Sequence, residues 1–72
     1  MNSNMERVWI RLKSTAKSLA ESGKSISYRR ARSIVAILLR EEFVDMTRSE
    51  VLDYLTNELI NHIAQYEVAV MK

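Results

Sequence analysis

Apolar residues recur along most of this chain at the three- and four-residue spacing of an α-helix, and three separate segments carry the pattern. In the first, Met5, Val8, Trp9, Leu12, Ala16, Leu19 and Ala20 fall on one arc about 120° wide when each residue turns through about 100°. Arg7, Arg11, Ser14 and Ser18 lie opposite, Lys13 and Lys17 flank the arc, and Ile10 points outward. Ser3 and Glu6 have the spacing of a capping box, which places the helix start. Gly23, the single glycine, follows the last periodic residue and reads as a left-handed C-cap.

The second segment restarts after "KSIS", with Ser25 or Ser27 as N-cap. Tyr28, Ala31, Ile34, Val35 and Leu38 keep the helical period. The unbroken apolar run Ile34–Leu39 could form a strand on its own. It has no turn residues beside it and no second strand to pair with, so its backbone groups would go unsatisfied. A helix is therefore expected, with a polar strip of only Arg29, Ser33 and Arg40, and the long run suggests the most enclosed helix of the set.

"MTRSEV" announces the third helix. Thr47 and Glu50 have capping-box spacing, and Met46 and Val51 have hydrophobic-staple spacing. Val51, Leu52, Leu55, Leu59, Ile63, Tyr66 and Val70 make the main stripe. Ile60, Ala64, Val68 and Met71 make a second, weaker stripe on another side, broken by Asn57 and Asn61. The expected fold is all-α. It is a single three-helix domain spanning 1–72, with helices at about 4–21, 28–43 and 48–70, antiparallel neighbours and a long C-terminal helix.

Composition narrows what such a domain can be. A chain of 72 residues has a thin stability margin. With no cysteine it has neither disulfides nor thiolate metal sites to add to it, so its helical core or an oligomer must supply the stability. The absence of cysteine suits a reducing compartment. No secretory leader is expected, and the longest apolar run is far short of the ~20 residues a spanning helix needs. A cytoplasmic protein is the expectation.

Charge is the most uneven feature. Residues 1–40 hold nine Lys or Arg against two Glu, a net +7, and residues 41–72 hold two cations against seven acids, a net −5; together they give the chain's +2. Arg29, Arg30 and Arg32 sit at the start of the middle helix and Glu41 and Glu42 at its end, both placements that the helix dipole disfavours. Internal pairing is the first expectation. Glu58 or Glu67 of the third helix would meet the arginines, and the positive start of that helix would face Glu41 and Glu42. The alternative is an anionic partner held by Arg7, Arg11, Lys13, Lys17, Lys24, Arg29, Arg30 and Arg32.

The sequence carries little catalytic chemistry. His62 is the only histidine, and no glycine-rich phosphate loop or nucleotide fingerprint occurs. Glu58 and His62 stand four apart, but His62 falls beside Leu55, Leu59 and Tyr66 and reads as a partly buried core residue before a metal ligand. A recognition-helix reading of the third helix fails because Glu50, Asp53 and Glu58 would enter the DNA groove with only Arg48 as a cation. Trp9 and Tyr28 read as core or interface residues before base-stacking ones.

Two segments resemble known families. In "TNELINHIAQY", Glu58, Leu59, Ile63 and Tyr66 match the second helix of small phosphatases that act on a response regulator. Ile60 stands at that family's key aspartate and the middle helix is additional, so the resemblance does not carry the activity across. "GKSISYRRA" followed by two helices resembles the small AriR-type connector proteins of enteric bacteria. That resemblance covers a short turn and a hydrophobic pattern, and implies a helical dimer acting in biofilm and acid-stress control.

The expected function is a small non-catalytic regulatory protein that binds another protein, an acidic one on the charge argument, in transcriptional or stress control. A homodimer is expected, with Ile60, Ala64, Val68 and Met71 as its interface, and no cofactor, metal or small-molecule substrate. The runner-up is a small DNA-binding protein using the basic surface of the first two helices.

Overall fold

The computed structural model describes residues 3–44 and 48–71, with side chains for 4–44 and 48–67. Three helices follow one another: α1 (Ser3–Ser22), α2 (Tyr28–Glu41) and α3 (Ser49–Met71). The expected caps at Ser3, Met46 and Thr47 lie outside the described side chains. The other boundary signals act as their chemistry requires. Gly23 closes α1 at φ +69°, and its N–H donates to the Ala20 carbonyl at 3.2 Å. Ser27 caps α2, its Oγ accepting the Arg30 N–H at 3.1 Å.

The end of α2 differs from expectation. The helix stops at Glu41, and the chain turns through a complete Schellman motif. The Phe43 N–H donates to the Arg40 carbonyl at 3.1 Å and the Val44 N–H to the Leu39 carbonyl at 2.9 Å. The residue in the left-handed position is Phe43, at φ 56°, where glycine is the usual occupant. Val44 and Leu39 are both buried, the apolar contact this motif commonly carries.

α1 and α3 lie side by side and point the same way. Trp9 and Tyr54 meet near their starts, while the connection after α1 lies against Ile60, Ile63 and Ala64 further along α3. α2 runs back over this pair and crosses α3 obliquely, since Tyr28 at its start already reaches Asp53. The core is built from fourth-residue rows: Val8, Leu12, Ala16 and Ala20 on α1, and Leu55, Leu59 and Ile63 on α3. Ala31, Val35, Leu38 and Leu39 of α2 close it. Each buried Leu, Ile or Val contributes about 1.5–3 kcal/mol relative to an exposed position.

One reading of the pattern needs correction. α3, which packs against both other helices, is the spine of the domain, and α2 is not the most enclosed helix. Ile37, inside the long apolar run, is 52% exposed. Thr56 is fully buried in the middle of α3, and its hydroxyl donates to the Leu52 carbonyl one turn back.

Candidate functional site

The parallel alignment of α1 and α3 opens a groove between their first turns. Met5 and Trp9 form one wall and Val51, Tyr54 and Leu55 the other, around a cavity of about 290 Å³. Each wall follows from helical spacing. Met5 and Trp9 stand four apart, as do Val51 and Leu55, so each pair faces the same side. The Trp9 and Tyr54 rings meet edge to face, with centroids 6.2 Å apart and planes at 81°, a favoured aromatic arrangement. Tyr54 is half exposed at the groove mouth, and Glu50, one turn earlier on α3, supplies a carboxylate. Such a site is suited to an apolar or aromatic side chain that arrives beside a positive charge.

The charges at the two ends of α2 are paired internally in part, and not with the expected partners: of the three arginines at its start only Arg32 is in an ion pair among the described residues. Arg11 of α1 reaches both acids at the far end of α2: its Nη2 donates to Glu41 Oε1 at 2.7 Å and its Nη1 to Glu42 Oε2 at 3.2 Å. These bonds, above all the one to Glu41, outweigh partial desolvation and raise the Arg11 pKa. Arg32 meets Asp53, not Glu58 or Glu67. Its Nε lies 3.3 Å from Asp53 Oδ1, out of line for a hydrogen bond, while its Nη2 donates to Ser49 Oγ at 3.1 Å. Tyr28 Oη donates to the same Asp53 Oδ1 at 2.8 Å. The bond to that carboxylate, then burial, raises the phenol pKa above its ordinary value of 10.

The other proposed cations stay open to solvent. Arg7, Lys13, Lys17, Lys24, Arg29 and Arg30 are exposed, and none is in an ion pair among the described residues. Arg29 joins Arg32, Ser33, Ala36 and Leu52 around a shallow depression.

Of the proposed dimer stripe, Ile60 is half-buried against the core and lines a second shallow groove with Ile26 and Ala64. Ala64 is exposed, and the side chains of Val68 and Met71 lie outside those described. His62 is partly buried, with its Nε2 3.9 Å from Glu58 Oε2 and its ring 6.5 Å from that of Tyr66. Among the described residues, no three His, Cys, Asp or Glu side chains cluster as a metal site, and no helix is long and apolar enough to cross a membrane.

The hydrophobic pattern marks Met5, Trp9, Val51 and Leu55 as stripe residues but gives no sign that they leave a gap. Tyr54 and Phe43 are not picked out by it at all. The available signal was Tyr54 standing beside the stripe one turn after Glu50. Comparison with protein-family models, curated proteins and solved structures finds no match.

Proposed function

We propose that this chain is a small, non-catalytic regulatory protein of the cytoplasm that works by binding another protein stoichiometrically and associates as a homodimer. The observation that supports this reading is the groove between α1 and α3. It places two aromatic rings and three further apolar side chains around an open cavity with one carboxylate at its mouth. Shape and apolar lining of this kind suit side-chain capture.

Native mass spectrometry of the chain isolated from its host tests the proposal. The expected result is a protein complex of fixed stoichiometry that is lost in Tyr54→Arg, a substitution at a half-exposed position that closes the groove without touching the core. A second reading, nucleic-acid binding, is favoured by the six exposed cations without ion pairs on α1, the following connection and the start of α2. Recovery of nucleic acid alone, unaffected by Tyr54→Arg, would replace the first reading with the second.

A further inference from the structure

We propose that the outer face shared by α1 and α2 docks on the surface of an anionic lipid membrane, with no segment crossing it. The inference goes beyond the protein-binding reading and makes no use of the α1–α3 groove.

The bond from Arg11 to Glu41, at 2.7 Å, fixes which sides of the two helices border this face. Helical spacing extends it along each helix. On α1, Arg7 stands four residues before Arg11, with Ser14 and Ser18 three and seven after it, and all three are exposed. On α2, Ile37 and Arg30 stand four and eleven residues before Glu41, on the same side. Ile37 is 52% exposed, with exposed Ser33 one turn before it and exposed Arg40 three residues after. At the outer margin of α1, Ile10 is 67% exposed and has Arg7 and Lys13 three residues away on either side. Each helix therefore shows solvent one isoleucine set among cations.

The face is basic with every acid of the two helices counted. Leaving out Arg32, which meets Asp53, residues 4–44 hold eight Lys and Arg against four Glu, a surplus of four. Apart from Arg11, those cations are exposed and in no ion pair among the described residues. The acids of α3 belong to a helix that packs against the inner sides of α1 and α2. An anionic leaflet attracts Lys and Arg that come within about a Debye length of it, about 8 Å at physiological ionic strength.

The isoleucines decide between anionic partners. A phosphate backbone engages the cations and leaves Ile10 and Ile37 in water. The boundary between headgroups and acyl chains takes both, because apolar side chains enter it while Lys and Arg stay at the phosphates. Ile10 and Ile37 project from convex helix surfaces and line none of the grooves described above. A fluid interface needs no shape matched to them, as a folded acidic partner would. Neither signal holds a protein on a membrane alone. A small apolar anchor combined with a basic patch does.

Cosedimentation with vesicles at physiological salt tests the inference, using phosphatidylcholine alone and phosphatidylcholine mixed with phosphatidylglycerol. The expected result is binding to the mixed vesicles only. Ile10→Ser with Ile37→Ser, and separately Arg7→Glu with Arg30→Glu, should each weaken it at least about tenfold. The melting temperature should hold in both, because all four side chains are exposed and outside ion pairs. The chain has no cysteine, so Ile37→Cys and Asn61→Cys each give a single labelling site, the second on the exposed side of α3. An environment-sensitive dye at position 37 should shift to the blue on mixed vesicles, and the same dye at position 61 should not.

Equal binding to both kinds of vesicle, binding that survives loss of both isoleucines, or dyes that respond alike at the two positions overturns the inference. Absence of vesicle binding overturns it too. If a labelled DNA duplex is then held at physiological salt and released by the Arg7 and Arg30 reversals, the face belongs to nucleic acid. The groove reading stands or falls separately, by Tyr54→Arg.

Discussion

Asp53 shows how much one side chain can decide in a domain this small. It sits on α3 yet gathers two residues of α2, the Tyr28 hydroxyl at 2.8 Å and Arg32 Nε at 3.3 Å. Together they fix where the start of α2 crosses α3. Ionising Tyr28 would place two negative charges together, so the fold holds the phenol in its protonated form, and its pKa lies above the ordinary 10. For a group whose pKa is raised by folding, the stabilisation is complete below the unfolded pKa and is lost as pH rises through the folded one. Tyr28→Phe should therefore lower the urea midpoint at pH 8 and flatten the decline seen above pH 10. Parallel declines in the two proteins would show that the bond to Asp53 contributes nothing.

Much of this scale was readable from the sequence. Gly23 and Ser27 announce themselves because turn and cap geometries demand particular residue types. Phe43 did not, because its left-handed conformation is set by the tertiary burial of Val44 and Leu39 and by no local preference of phenylalanine. Thr56 was missed for a related reason: a threonine can enter a helical core by returning its hydroxyl to a carbonyl of its own helix.

At the scale of elements, the three helices followed from apolar spacing, but their ranks in the packing did not. The wheel of α2 is nearly all apolar, which suggested full enclosure, yet Ile37 faces solvent. A wheel reports which faces are apolar and not how many neighbours come to cover them. α3 covers more because the other two helices both lie against it.

The charges of α2 illustrate the same point. Its two terminal acids oppose the helix dipole, and the compensating cation is Arg11, thirty residues away on α1. The net charge of each half gives no means of choosing it over the other cations. Arg11 also ties α1 to α2, the helix pair with the thinnest mutual packing. Arg11→Gln should lower the melting temperature at low salt. The difference from wild type should shrink in about 1 M salt, where the Debye length is about 3 Å. A difference independent of salt would assign the loss to packing of the arginine stem instead.

The whole molecule carries its charge in two unequal states. Arg11 and Arg32 are engaged by acids of the C-terminal half, while Arg7, Lys13, Lys17, Lys24, Arg29 and Arg30 remain exposed. That remainder is what a nucleic acid would meet. Binding by phosphate neutralisation falls with salt, with a slope of about −0.9 per contact on duplex DNA. The competing effect is the acidic half, whose −5 is only partly neutralised by Arg11 and Arg32 and repels a polyanion over much of the surface. Duplex DNA is therefore expected to bind only weakly at physiological ionic strength. The structure also changes which substitutions test this. Reversing Arg11 would set a carboxylate against Glu41 and Glu42 and damage the fold. Reversal to glutamate at Arg7, Lys13 and Lys17 removes exposed charge and leaves every ion pair among the described residues in place. Fluorescence anisotropy with a labelled duplex, measured across a salt series, should give weak binding that the triple reversal abolishes without lowering the melting temperature. Sub-micromolar, steeply salt-dependent binding that the triple reversal removes would make the basic face the working surface of this protein and the α1–α3 groove secondary to it.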